Sequence, residues 1–290
     1  MSYNAGATMA NEAILWQKEF IEDYNQMQAI LPMYCDQSAW LQGSRQCVFS
    51  IAPSDLQATT RSRNGQINYD NVSLRTVTVD LTESIGAQRV DDFTAFRSAP
   101  DLRRVMYREV AGAIARAIDD KIFAQLDQAT NVFNSGTAIT PDLATFSSLI
   151  RVFRTNTFGG KGDVTCVMSD AALLGLENIP QVSSSDYAEI KLPGGNRAFR
   201  WRGINWVAHE RVPGRGTTAA KCFLFAKSAV GYKSAREPQM RAGEDDKHLD
   251  YYCNGRVWDA SRILLQRGVL EFTYNDQAAY SNHNLVVVQN

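Results

Sequence analysis

Residues Leu102–Leu126, LRRVMYREVAGAIARAIDDKIFAQL, carry the longest unbroken helical pattern in the chain. Apolar residues stand at Leu102, Val105, Met106, Val110, Ala113, Ile114, Ala117, Ile118, Ile122 and Leu126. This i, i+3, i+4, i+7 spacing lines one side of a helix that lies on a core. At 1.5 Å per residue the helix spans about 37 Å. Asp101 or Ser98 can cap its start, and Asp101 suits the positive end of the helix dipole. Ala111, Gly112, Ala113, Ala115 and Ala117 make its middle thin, so a sheet or a second helix can come close. The rod carries no sign of an active site.

What precedes it is β-rich. Gln46–Ala52 alternates polar and apolar residues, and so does Val72–Ser84. Between them lies a polar stretch with Arg61, Arg63 and an Asn64-Gly65 turn signal. Together they predict a long two-stranded hairpin. Such a hairpin is marginal alone in water, so it must lie on its own domain or reach onto another copy. Upstream, Asn11 to about Leu31 reads as an acidic helical arm that Pro32 ends.

Downstream, 140–156 predicts a second helix with Thr140 as its cap and Pro141 at its first position. Val164–Ser169 reads as a buried strand and 170–178 as a short helix. Residues 180–200 are rich in Ser, Gly and Pro and read as a loop. Further strands follow, the last group around a tight turn at Gly255. The fold class is α+β, with one long helix and strands arriving in several separated pieces.

Composition narrows the function. The net charge of −1 gives no overall field toward nucleic acid or anionic membranes. No apolar run approaches the roughly 20 residues of a membrane span. Cys35, Cys47, Cys166, Cys222 and Cys253 form no C-x-x-C pair and read as free thiols. Of 30 basic residues 22 are Arg, the cation suited to interfaces and to bidentate carboxylate or phosphate contacts.

Motifs for chemistry fall short. His209-Glu210 starts like a zinc-protease helix, but Pro213 stands where the second His belongs, so a polar residue at a strand end is expected. Ala242–Cys253 gathers Glu244, Asp245, Asp246, His248 and Asp250 without calcium-loop spacing and reads as a solvated loop. Residues 158–163, FGGKGD, follow a helix and lack the Ser or Thr of a phosphate loop. Asp119 and Asp120, adjacent on a helix, do not face one another and form no paired-carboxylate site. No catalytic, cofactor or metal residue is assigned.

One pair stands out. Arg104 and Arg108 sit at i, i+4, where like charges repel by a few tenths of a kcal/mol, and Arg103 and Arg116 add to the positive face. They suit carboxylates of a neighbouring chain or packaged phosphate, beside the plainer reading of a tolerated surface pair.

The order of these elements resembles the major capsid protein of tailed bacteriophages, the Hong Kong 97 type of fold. The likeness covers nearly the whole chain, from the arm through the hairpin CVFSIAPSDLQATTRSRNGQINYDNVSLRTVTVDL and the long helix to YYCNGRVWDASRILLQRGVLEF. It implies an N-terminal arm at 1–45 and an extended loop at 46–86. It implies a peripheral domain at 87–131 and 226–258, with a spine helix at 101–128. An axial domain would occupy 132–225 and 259–275, followed by a tail at 276–290. The implied function is structural, not enzymatic. The chain would self-assemble as hexamers and pentamers into an icosahedral head around double-stranded DNA, in the host cytoplasm. Heterologous contacts that close by rotation need such arms and loops. Arg61, Arg63, Arg75, Arg104 and Arg108 are the candidate contacts between subunits.

Some members of that family join their subunits covalently through a loop lysine. This chain has no Lys between Lys18 and Lys121, so that link is expected to be absent. Bands of covalent oligomers on a denaturing gel of mature particles contradict that expectation. The lack of a coiled-coil leader in the sequence suggests a separate scaffolding protein, beside a portal and a decoration protein. Contact with DNA is expected to be weak and non-specific, since tight binding needs many Lys or Arg on phosphates. Rival readings are an encapsulin-type nanocompartment shell of the same fold, a tail-tube or decoration protein, and an α+β enzyme.

Overall fold

The computed structural model describes residues 28–43, 45–51, 74–91, 102–157, 163–179, 198–245 and 250–277, with isolated positions 60, 63, 65, 182 and 248. Most of the expected arm helix, most of the hairpin tip, the Ser98 and Asp101 caps, most of FGGKGD and the tail beyond residue 277 lie outside these.

The long helix, α1, runs Leu102–Leu126 as the periodicity predicts. Its buried side chains fall in rows four apart: Met106, Val110, Ile114, Ile118, Ile122 and Leu126, then Ala115, Asp119 and Phe123. With 3.6 residues per turn, each step of four turns the row by about 40°, so from Met106 to Leu126 the buried face rotates about 200°. One helix thereby serves two sheets. Its first half packs with Cys253, and its second half joins the main core.

The first sheet is the hairpin. β1 (Trp40–Gln42), β2 (Gln46–Ile51) and β3 (Arg75–Asp80) are antiparallel in that order, with Gln46 opposite Asp80 and Ile51 opposite Arg75. The expected strand over 72–84 is in fact broken. Leu81 donates its N–H to the Arg45 carbonyl, and the chain enters β4 (Thr82–Asp91) in another sheet.

That second sheet centres on β11 (Asp250–Ile263), flanked by β4 and by β10 (Gln239–Asp245), with β9 (Val230–Ser234) pairing its far end. Gly255 lies inside β11, opposite Gly86, and not in the expected turn. It is glycine for a packing reason. A Cβ there would stand 2.7 Å from Met240 Sδ, 2.9 Å from Val110 Cγ1 and 3.1 Å from Ile114 Cγ1. The close approach to α1 thus depends on the sheet side as well as on the helix's small residues.

The third sheet has the order β12-β8-β5-β7-β6, made of Val269–Tyr274, Ala220–Ala226, Val164–Met168, Ile204–Ala208 and Ala198–Trp201. Only β5 and β7 of these pairs run parallel. β5 and β12 are buried along their whole length, including Thr165 of β5 and Glu271 and Thr273 of β12. β6 begins at Ala198, so the loop expected at 180–200 ends earlier.

Helices α2 (Leu143–Asn156) and α3 (Asp170–Glu177) flank this sheet, with Phe146 edge-on to Trp206. The cap of α2 is Asp142, not Thr140. Ile139 is held as extended chain by its N–H to the Thr273 carbonyl, and Asp142 Oδ1 then accepts the Thr145 N–H at 2.6 Å. Ser169 caps α3 in the same way.

Candidate assembly site

The hairpin sheet is covered unevenly. β1 is exposed throughout and β3 is at most half-buried, whereas Cys47, Val48 and Phe49 of β2 are buried. Its seat is a small core with Ala260 and Leu264. Phe49, 1% exposed, lies over Gly231 of β9 so closely that a Cβ there would stand 2.5 Å from its ring. The neighbouring backbone of Gly231 also bridges to Asp36, so hairpin base, β9 and N-terminal segment meet at one point.

Buried charge gathers along α1. Asp119 is fully buried. Its Oδ1 accepts Leu31 N–H at 3.1 Å, and its Oδ2 accepts Ile30 N–H at 3.1 Å and lies 2.9 Å from His209 Nε2. His209 follows β7 and is itself 1% exposed, edge-on to Phe123. Two residues further along α1, Lys121 donates to Asp259 of β11 and to the Thr82 carbonyl. Burial raises the Asp259 carboxyl above its usual range, against the pull of Lys121. Asp120, on the outer side, pairs with Arg211, and that partner raises the guanidinium pKa. Near the end of the described chain, Asp276 accepts from Ser169 Oγ at 2.6 Å and from Gly216 N–H at 2.8 Å.

Arg75 opens β3, and Arg63, Arg75, Arg104 and Arg108 are all exposed. Arg61 and the Arg103 side chain lie outside the described residues.

His209, expected as a polar strand-end residue, is at a strand end but deeply buried. Its partner Asp119 went unrecognised in the sequence. The available signal was its place in the Ala115–Phe123 row, where a charge interrupts small and apolar side chains. His248 Nδ1 lies 2.8 Å from Asp245 at the exposed β10–β11 connection, where Arg89 also pairs with Asp250. Among the described residues no group of His, Cys, Asp or Glu is placed to hold a metal ion. None of the described helices is long and apolar enough to cross a membrane. All five cysteines are buried and unpaired as disulfides. Burial pushes Cys35 and Cys222 up to about 12, and the other thiols upward as well.

Solved structures share this arrangement of sheets around a long helix. The chain is similar to a structure of Mycobacterium phage Che8, at 18% identity and TM-score 0.66, over 89% of this chain and 95% of that one. It is similar to the Cyanophage Pam1 capsid asymmetric unit at 10% identity and TM-score 0.69, over 91% and 96%. The capsid of a native GTA particle matches at 12% identity and TM-score 0.66, over 89% and 94%. Identities this low speak to the fold. No curated protein matches the chain. The sequence profile of a family described as phage capsid protein matches residues 13–275, nearly the whole length. The chain therefore belongs to the phage capsid protein family and is a structural, non-enzymatic component of the virion.

Proposed function

We propose that the chain self-assembles as hexamers and pentamers into an icosahedral head around double-stranded DNA, by laying its hairpin and N-terminal segment on neighbouring copies. One observation carries this reading. The hairpin sheet has one covered strand between two open ones, which leaves apolar and polar edge surface for a partner. A sheet of this kind gains stability from further packing. Residues 1–45 act as arm and 46–86 as extended loop. Residues 87–131 with 226–258 form the peripheral domain, 132–225 with 259–275 the axial domain, and 276–290 the tail. Exposed Arg63, Arg75, Arg104 and Arg108, with Arg61 beside them in sequence, meet carboxylates of adjoining subunits. A separate scaffolding protein, a portal and a decoration protein complete the head. The chain touches DNA weakly, in keeping with a net charge of −1.

The test is to replace residues 52–74 by a two-residue Asn-Gly turn between β2 and β3, which keeps Ile51 opposite Arg75. The shortened chain is expected to fold with the secondary structure of the parent and to form no shells. Normal shells from it contradict the proposed role of the loop.

A further inference from the structure

A shell protein has no catalytic use for a fully buried carboxylate, and Asp119 is one. Burying an ionised carboxylate is expensive unless hydrogen bonds replace its water. The replacements come from two distant parts of the chain. Ile30 and Leu31 supply backbone N–H groups, each at 3.1 Å, from 88 or 89 residues away in sequence. His209 comes from the end of β7 in the third sheet. Its Nδ1 accepts the Arg211 N–H at 3.0 Å, so the ring proton sits on Nε2 and points at Asp119. Asp119 thus joins three parts: the N-terminal segment, α1 and the third sheet.

Downstream, the same segment is held in another way. After a 3-10 turn at Leu31–Tyr34, Asp36 donates its N–H to Val230 O and accepts Tyr232 N–H, at 2.8 and 2.9 Å. Leu31 and Cys35 are fully buried between the two attachments. Asp36 therefore pins the segment to β9, while Asp119 decides where the chain upstream of residue 30 departs.

We propose that the Asp119–His209 pair is a latch that holds the root of the N-terminal segment against α1 and fixes its point of exit. Its consequence for assembly rests on the reading above that this segment contacts a neighbouring copy. Releasing the latch loosens residues 28–34 locally while the Asp36 attachment and the third sheet stay formed.

Amide hydrogen exchange on the isolated full-length subunit tests this. Three variants are compared with the parent: Asp119→Asn, His209→Leu and His209→Gln. Loss of a charged acceptor is expected to speed exchange at Ile30 and Leu31 by about ten- to a hundredfold in Asp119→Asn. His209→Leu loosens the same amides, and His209→Gln, which keeps an N–H donor, stays closer to the parent. Amides of β5, β8 and β12 keep parental rates. Parental exchange at Ile30 and Leu31 in both Asp119→Asn and His209→Leu overturns the latch. So does faster exchange spread equally through the third sheet, which marks general destabilisation. If Asp119→Asn does not fold, the two His209 variants decide. Shell formation is scored separately: a loosened root with normal shells upholds the latch and removes the assembly role of the segment.

Discussion

Gly231→Ala is the sharpest probe of how the hairpin is seated. The new Cβ would stand 2.5, 2.7 and 2.9 Å from three ring carbons of Phe49, inside any real carbon–carbon contact. The ring cannot swing outward freely, because Phe49 is 1% exposed among Cys47, Ala260 and Leu264. Overpacking of this kind costs about 1–3 kcal/mol. Phe49→Ala alone removes a buried aromatic and costs about 3–5 kcal/mol. In that background the space above residue 231 is already open, so adding Ala there costs little. The two changes should therefore be non-additive by about 1–3 kcal/mol. Denaturant unfolding of the isolated subunit measures this, as shifts of the denaturant midpoint at constant slope. Additivity within about 0.5 kcal/mol would falsify the proposed Phe49–Gly231 contact.

Further predictions address charge, thiols and pH. Arg104→Glu with Arg108→Glu is expected to block assembly while the subunit keeps its far-UV circular dichroism; normal particles from this variant contradict the contact role. An aromatic disulfide reagent at pH 8 should titrate almost no thiol in the native subunit and all five after denaturation, since burial holds Cys35 and Cys222 near 12. Fast native reaction at two or more thiols overturns that packing. Asp259 binds its proton more tightly folded than unfolded, because burial raises its pKa above the ordinary 3.8. Its contribution to stability is full below the unfolded value and is lost as pH rises through the folded one. Asp259→Asn should flatten that decline in a series of denaturant midpoints against pH; an unchanged slope assigns the decline elsewhere.

Local signals in the sequence carried over well. The stripe from Leu102 to Leu126 marks α1, and alternation in Gln46–Ile51 and Arg75–Asp80 marks two paired strands. Periodicity reports which side of an element is covered, as in the alternation of β3, whereas Cys47, Val48 and Phe49 of β2 are buried in succession. Failures came where distant contacts decide. Nothing local distinguishes Leu81 from its alternating neighbours, yet the chain changes sheets there because Arg45 takes its N–H. Gly255 resembles a turn residue but is small because Val110 and Ile114 press on it. The Asp119–His209 pair spans 90 positions, and single-sequence patterns do not reach that far. The five proposed arginine contacts depend on surfaces of other copies, which one chain does not contain.

Electron microscopy of the purified full-length protein tests the central claim most directly. Closed icosahedral shells tens of nanometres wide are the predicted result, with hexameric and pentameric units resolved on their surface. A monodisperse small oligomer, under conditions where the subunit is folded, would contradict it.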